Sequence, residues 1–217
     1  MQEHITASDL IPDVQFGFGR GHSNTHQVRR VVNDIRDGLN RGESTGLLLL
    51  DLTCAFDTAW HAAPLHQMYQ NQFPIYLVKV IRSYLTDRTF CVRVNKTTSS
   101  LRTIPAGVPQ GSTLSPDLSN IFTYDIPRGT GFNVGAFADD SAIWYTAKRA
   151  ASVRKSVQAG SNSYTKYYRS WRLKQNPSKV EAVYFTRRRA ERAFPRAGIK
   201  INSQTSDNRL FLEPVLV

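Results

Sequence analysis

Two adjacent acids set between two apolar runs constrain this chain more than any other feature. In Val134-Gly-Ala-Phe-Ala-Asp-Asp-Ser-Ala-Ile-Trp-Tyr145 the flanks favour strands, so the stretch predicts a β-hairpin with Asp139 and Asp140 at its tip. A carboxylate pair on a rigid turn suits hard divalent cations, which take oxygen ligands and bridge phosphates. A third acid stands in Gly46-Leu-Leu-Leu-Leu-Asp-Leu-Thr-Cys-Ala-Phe-Asp57. Its leucines read as a strand buried on both faces, and Asp51 follows where that strand leaves the core. If this strand pairs beside the hairpin, Asp51 and Asp139 face each other and can bridge two cations for in-line displacement at phosphorus. Plainer readings are an acidic turn and a carboxylate capping the next helix, and each element alone leaves these open.

A chain of 217 residues is long enough for one large domain or one and a half. Lys and Arg outnumber Asp and Glu by 28 to 17, a formal charge of +11, which favours a polyanionic partner over a membrane surface. No apolar run reaches the ~18 residues of a membrane span. The start, Met1-Gln-Glu-His4, lacks the regions of a signal peptide, so an intracellular chain is expected. Cys54 and Cys91 have no CxxC spacing and are expected to be reduced packing residues.

Residues before about Gln15 read as polar, without a core element, like a cut through a larger protein. Gln15-Phe-Gly-Phe-Gly-Arg-Gly-His-Ser-Asn-Thr25 is glycine-rich, fit for close approach to a nucleic-acid backbone or simply for a turn before a helix. Ser23 or Asn24 can cap that helix, with Val28, Val31, Val32, Ile35 and Leu39 on one face. Pro64 opens a helical segment through Met68, and Pro74 opens another through Leu77, Val80, Ile81 and Leu85. Phe90 to Val94 alternates as a strand, leaving Arg93 and Lys96 to solvent or phosphate. Ile104 to Pro116 forms a tight loop of prolines, glycines and hydroxyl residues before a helix from about Leu118 to Tyr124. From Arg149 to Leu173 a basic helix carries Tyr164, Tyr167, Tyr168 and Trp171. These aromatics could stack on unpaired bases, but helical spacing favours a buried stripe of Val153, Val157, Tyr164, Tyr168 and Trp171. A strand follows from Val180 to Phe185. Arg187 to Arg189, Arg192 and Arg196 form a basic footprint or a solvated tail.

Four of these stretches, in this order, resemble the palm motifs of reverse transcriptases of non-LTR retrotransposons, most like the jockey group. They are Leu50-Asp-Leu-Thr-Cys-Ala-Phe-Asp57, Ala106-Gly-Val-Pro-Gln-Gly-Ser-Thr-Leu-Ser-Pro116, Phe137-Ala-Asp-Asp140 and Leu173-Lys-Gln-Asn-Pro-Ser-Lys179. The likeness runs from about Gln15 to about Thr186. It implies that Asp51 and Asp139, with the backbone carbonyl of Leu52 and less direct support from Asp140, hold two Mg²⁺ ions, Mn²⁺ being the alternative. Thr53, Cys54, Ala55, Phe56, Gln110 and Gly111 would contact the incoming nucleotide, and the ring of Phe56 would collide with a 2′-hydroxyl, favouring deoxynucleotides. Pro109, Phe137 and Ala138 would lie along the nucleic acid. Lys179 would protonate the leaving pyrophosphate. Core packing is the other reading of Phe56, and a surface position that of Lys179.

The resemblance implies an α+β palm, a small antiparallel sheet with helices packed on one face, plus partial fingers. Residues 1–45 would be partial fingers and 46–186 the palm, with a finger insertion at about 64–105. Residues 187–217 would form a basic, divergent tail. Its function would be RNA-directed DNA synthesis by a mobile element. Partners would be an RNA template, a DNA primer, dNTPs and the rest of a polyprotein, with no membrane and with the nucleus as the parent element's site of action. Gly19, Cys54 and Val180 depart from residues usual in the family, and Asn202 to Val217 does not continue into the expected Leu-Gly motif. Most of the fingers, the thumb, the endonuclease and the zinc-knuckle segment are expected to be missing. A catalytically silent remnant that binds nucleic acid is the alternative, and a nucleotide cyclase a second one that the Pro-Gln-Gly loop disfavours.

Overall fold

A computed structural model describes residues 1–8, 10–18, 21–53, 55–109, 111–188, 199–201, 209–210 and 213–216, with backbone alone at 55, 56, 177, 209–210 and 213–216. Its elements begin with α1 (Gln2–Ala7), α2 (Asn24–Asn40), β1 (Ser44–Leu50) and the short α3 (Ala55–Thr58). Next come α4 (Ala62–Gln70), α5 (Ile75–Leu85), β2 (Thr89–Phe90), β3 (Arg93–Val94), β4 (Thr97–Thr98) and β5 (Arg102–Thr103). Then follow α6 (Ser115–Phe122), β6 (Asn133–Phe137), β7 (Asp140–Ala147), α7 (Ala150–Ser170) and a 3-10 turn at Pro177–Lys179. Last are β8 (Glu181–Thr186), β9 (Ile199–Lys200), β10 (Arg209–Leu210) and β11 (Glu213–Leu216). The chain divides into two compact units, Met1–Ile11 with Cys54–Tyr124, and Pro12–Thr53 with Asp125–Val217.

In the first unit a core gathers Met68, Phe73, Val78, Ile81, Leu85, Leu118 and Ile121 around Ile5 and Leu10. The segment before Gln15 therefore does supply core residues, contrary to its polar composition. One isoleucine on a short helix and one leucine after it suffice, because a single buried side chain of this kind contributes about 1.5–3 kcal/mol. Pro74 stands at the N-cap of α5 as the sequence predicts, but Val80 is exposed, outside the buried stripe. Phe90 to Val94 does not form one strand. It splits between β2, paired with β5, and β3, paired with β4, and both are exposed. Cys91 is exposed too, so it is no packing residue, while Cys54 lies outside the described residues.

The second unit holds a five-stranded sheet in the order β11-β8-β1-β7-β6. Its pairs are antiparallel except β11 with β8. β1 lies at the centre, with Leu48 opposite both Ile143 and Ala182. Side chains alternate across a strand, so Leu48 and Ile143 share one face while Leu47 and Trp144 share the other. α7 covers the Leu48 face, where Gly160 fits against Ile143 so closely that a Cβ would lie 2.6 Å from the Ile143 Cγ2. On the other face is α2, whose Gly38 would collide with Thr146 if it carried a Cβ. There the Trp144 Nε1 donates to Asp34 at 2.9 Å, and the Arg30 guanidinium lies 5.5 Å from the Trp144 ring centre. The α+β class holds, with helices on both faces of this sheet and not on one. Ser23 caps α2 by accepting from the His26 N–H at 3.3 Å. The apolar stripe of that helix is only half covered, since Ile35 and Leu39 are buried but Val28 and Val32 are exposed.

That split gives a direct check by urea denaturation of the full chain. Ile35→Ala should cost about 2–5 kcal/mol, as expected for deleting buried methyl groups. Val28→Ser on the same helix face should stay within about 0.5 kcal/mol of wild type, as surface changes do.

Candidate active site

β1 delivers Asp51 just beyond its last paired residue, Leu50, which lies opposite Ser141. Extending the register one step puts Asp51 across from Asp140, on the same face as Leu49 and Ala142. The backbone on either side of Asp51 is stitched to a second segment. The Asn176 N–H donates to the Asp51 carbonyl at 2.9 Å, the Thr53 N–H donates to the Lys174 carbonyl at 2.8 Å, and Leu52 bridges Gln175. Those bonds use the groups of Asp51, Thr53, Lys174 and Asn176, so this bridge leaves the carbonyl of Leu52 outside it.

The same segment turns at once into the 3-10 turn that carries Lys179. Asn176 caps it, its Oδ1 accepting from the Ser178 N–H at 3.3 Å and hydroxyl at 2.7 Å, and Pro177 supplies a preset first position. Lys179 Nζ thereby comes 3.6 Å from Asp51 Oδ1. The lysine is 66% exposed and the aspartate 21%, so the pair is a loose one that leaves the ammonium able to turn toward a bound anion. Asp51 Oδ2 is buried with no hydrogen-bond partner among the described residues.

Phe137 pairs with Asp140, so the hairpin turn consists of two residues, Ala138 and Asp139. Asp139 occupies the tip, and Asp140 is already the first residue of β7. Ala138 adopts a φ of 56°, the left-handed region that costs a non-glycine residue about 1–2 kcal/mol. Burial raises the Asp140 carboxyl above its ordinary range, and the charges of Asp139 and Asp51 raise it further against the pull of Lys179. Two carboxylates and one ammonium thus act on the Asp140 carboxyl at this end of the sheet. Among the described residues no group of three or more His, Cys, Asp or Glu side chains is assembled as an ion cage. Beside them, between α2 and the sheet, a cleft of about 700 Å³ is lined by Asp51, Asp140, Lys179 and the apolar Val28, Val32, Leu49 and Phe185.

Behind the hairpin, on α7, Tyr164, Tyr167 and Tyr168 are buried and pack ring against ring. Burial pushes all three phenols above their ordinary range. They are core residues and not a platform for bases. Trp171, predicted in the same stripe, is only partly buried and donates its Nε1 to Asp125 at 3.0 Å. Arg188, from the basic run, donates to the carbonyls of Lys148 and Gly42. Arg189, Arg192 and Arg196 lie outside the described residues, as do Gly19 and most of the divergent stretch from Asn202.

In the first unit Ala55 and Phe56 open α3, with their side chains outside the described atoms, and Gln110 lies outside the described residues. The Pro109 carbonyl accepts from the Ser115 hydroxyl, and Gly111 turns at a φ of 82° with open space where a Cβ would point. Sequence reading passed over Gly107, whose carbonyl accepts from Arg88 Nη1 at 2.9 Å and from His61 Nε2 at 2.8 Å. At a φ of 93° its absent Cβ would lie 2.7 Å from the Asp57 carbonyl oxygen, so the loop after Ile104 needs glycine there. It also passed over Gln15, a buried residue whose amide contacts the Asp139 turn.

The profile of the family "Reverse transcriptase (RNA-dependent DNA polymerase)" matches residues 1–211. The chain is 32% identical over 194 residues to the probable RNA-directed DNA polymerase from transposon BS of Drosophila melanogaster, covering 86% of this chain and 21% of that protein. It is 33% identical over 195 residues to the RNA-directed DNA polymerase from mobile element jockey of the same fly, covering 85% and 21%. It thus spans about a fifth of the length of these curated relatives, and the likeness to the jockey group is borne out. Among solved structures, apo telomerase from Candida tropicalis, truncated from its C-terminal domain, superposes with a TM-score of 0.60 at 13% identity over 84% of this chain and 39% of that one. Telomerase from the same yeast in complex with a fragment of telomeric RNA gives 0.60 at 14% identity, over 84% and 33%. Among the described residues no helix is long and apolar enough to cross a membrane. With the family profile running across nearly its whole length, the chain belongs to the reverse transcriptase (RNA-dependent DNA polymerase) family.

Proposed function

We propose that this chain is the palm of an RNA-directed DNA polymerase of a mobile element, joining deoxynucleotides to a primer 3′-hydroxyl. The observation that carries this reading is the meeting of Asp51 and Asp140 with Lys179 and the Asp139 turn at one end of the sheet, where a buried Asp51 carboxylate oxygen has no hydrogen-bond partner among the described residues. The donor set fits Mg²⁺. That ion keeps several waters and binds through one or two carboxylates and substrate phosphates, so a closed protein cage is not required. Asp51 and Asp139 would hold two ions, with the carbonyl of Leu52 and with Asp140 in support. When bound, the ions activate the attacking hydroxyl and neutralise charge on the triphosphate.

The chain's own residues divide the remaining work. Lys179, whose ammonium is 3.6 Å from Asp51 Oδ1, would give a proton to the departing pyrophosphate. Thr53 to Phe56 and Gln110 with Gly111 receive the nucleotide, Phe56 excluding a 2′-hydroxyl, while Pro109, Phe137 and Ala138 border the nucleic acid. A net charge of +11 draws an RNA template and a DNA primer. One telomerase of the same fold was solved with RNA bound, which supports an RNA partner here. The rest of a longer polyprotein would supply further fingers, the thumb and the endonuclease, acting in the nucleus.

Primer extension on an RNA template with Mg²⁺ or Mn²⁺ tests this reading. Asp139→Asn should lower incorporation by at least about a hundredfold, the scale on which one positioned charge acts, while binding of the primer–template is retained. Salt-sensitive binding with no incorporation by the wild type would instead identify a silent remnant. Phe56→Val should admit ribonucleotides, and unchanged sugar selectivity would remove that ring from the mechanism.

The acids also predict a pH effect on stability. Because the Asp140 carboxyl is raised in the folded chain, the folded state holds its proton more tightly than the unfolded one. Stability from this group is therefore lost as pH rises from its ordinary value of 3.8 through the raised folded value. In a chelating buffer at neutral pH, Asp140→Asn should raise the Tm, and the difference should vanish below the ordinary carboxylate range.

A further inference from the structure

The turn that presents Asp139 is strained at Ala138, yet nothing within the hairpin itself explains how it is held. The restraint comes from the glycine-rich stretch that precedes α2. Val14 to Phe16 run alongside Ala136: the Ala136 N–H donates to the Val14 carbonyl at 2.7 Å and the Phe16 N–H donates to the Ala136 carbonyl at 2.8 Å. Between them Gln15, only 1% exposed, extends toward the turn. Its Nε2 donates to the Ala138 carbonyl at 3.1 Å, and its Oε1 accepts from the Ala138 N–H at 3.0 Å and from the Gly17 N–H at 2.8 Å. Gly17 closes the clamp from the other side, because a Cβ there would collide with the Ala138 nitrogen.

We propose that Gln15 is a positioning residue, whose amide grips both backbone groups of Ala138 and so fixes where Asp139 is aimed. Only a side chain offering a donor and an acceptor in one plane can satisfy both groups. The orientation of the amide is set by its partners, two N–H groups facing the oxygen and one carbonyl facing the nitrogen. Asparagine is one methylene too short for the same reach. Glutamate would turn an acceptor toward the Ala138 carbonyl and add a buried negative charge near Asp139 and Asp140. Methionine keeps the length and offers neither bond. The grip is independent of metal and substrate, while its consequence for catalysis rests on the polymerase reading above.

The test uses the full chain and two variants that disturb the clamp from opposite sides. Gln15→Met removes the bonds, and Gly17→Ala pushes the Ala138 nitrogen away from the other side. Amide exchange followed by NMR reads the clamp without any chemistry. In Gln15→Met the Ala138 amide should exchange at least about tenfold faster, while Leu48 and Ile143 in the central ladder keep wild-type protection. In primer extension both variants should lose about a hundredfold in kcat, as expected for a small misplacement of a reacting group, with KM for the dNTP changed less than about threefold. Unchanged exchange at Ala138, or loosening spread evenly across the sheet, would overturn the proposal, and so would an unchanged kcat in an active wild type. A wild type that shows the exchange pattern but never extends a primer would overturn the polymerase reading and leave the clamp standing.

Discussion

The antiparallel ladder between β1 and β7 fixes everything that the candidate site does. Side chains alternate along a strand, so a slip of one residue would turn Asp51 away from Asp140 and move Leu48 from the α7 face to the α2 face, where Leu47 now packs. Burial of Leu48 and Ile143 against α7 therefore sets the register, and the register sets the acids. The hydrophobic core and the charged end of the sheet are two results of one alignment. Repulsion of the Asp140 carboxylate by Asp139 and Asp51 is tolerated because the buried residues below them hold the strands in place.

A second constraint acts on the other side of Asp51. The bridge between Leu52 and Gln175 joins the strand exit to the segment that ends in Lys179, so the acid and the cation are set by the same short piece of backbone. Their spacing does not depend on the helices in between. The turn at Ala138 is secured differently, from a stretch remote in sequence that lies beside β6. Each chemical group at this end of the sheet thus has its own anchor outside the element that bears it.

Much of this was legible from sequence where signals were local. The hairpin from Val134 to Tyr145 and the strand before Asp51 stood out because alternation and apolar runs report directly on burial, and both form. Asp140 was expected in the turn but begins β7, a one-residue boundary that composition does not fix. Val28 and Val32 have the spacing of a buried face, yet periodicity says nothing of whether a neighbour reaches that far along the helix, and both are exposed. Ile5 and Leu10 were missed for the opposite reason, since two apolar residues in a polar stretch make no pattern. Gln15 carried no signal of its own. A glutamine in a glycine-rich segment looks like a turn residue until the partner 123 positions away is brought against it.

The fate of Arg188 bears on how the positive charge of this chain is to be understood. Its guanidinium reaches back to the carbonyls of Lys148 and Gly42, near the ends of β7 and α2. A cation held in that way still strengthens the field that draws a polyanion from a distance, but donors already given to carbonyls are not offered to a phosphate. At Arg188 the long-range attraction is thus kept while part of the close-range grip is already engaged. A tally of lysines and arginines measures the first and overstates the second.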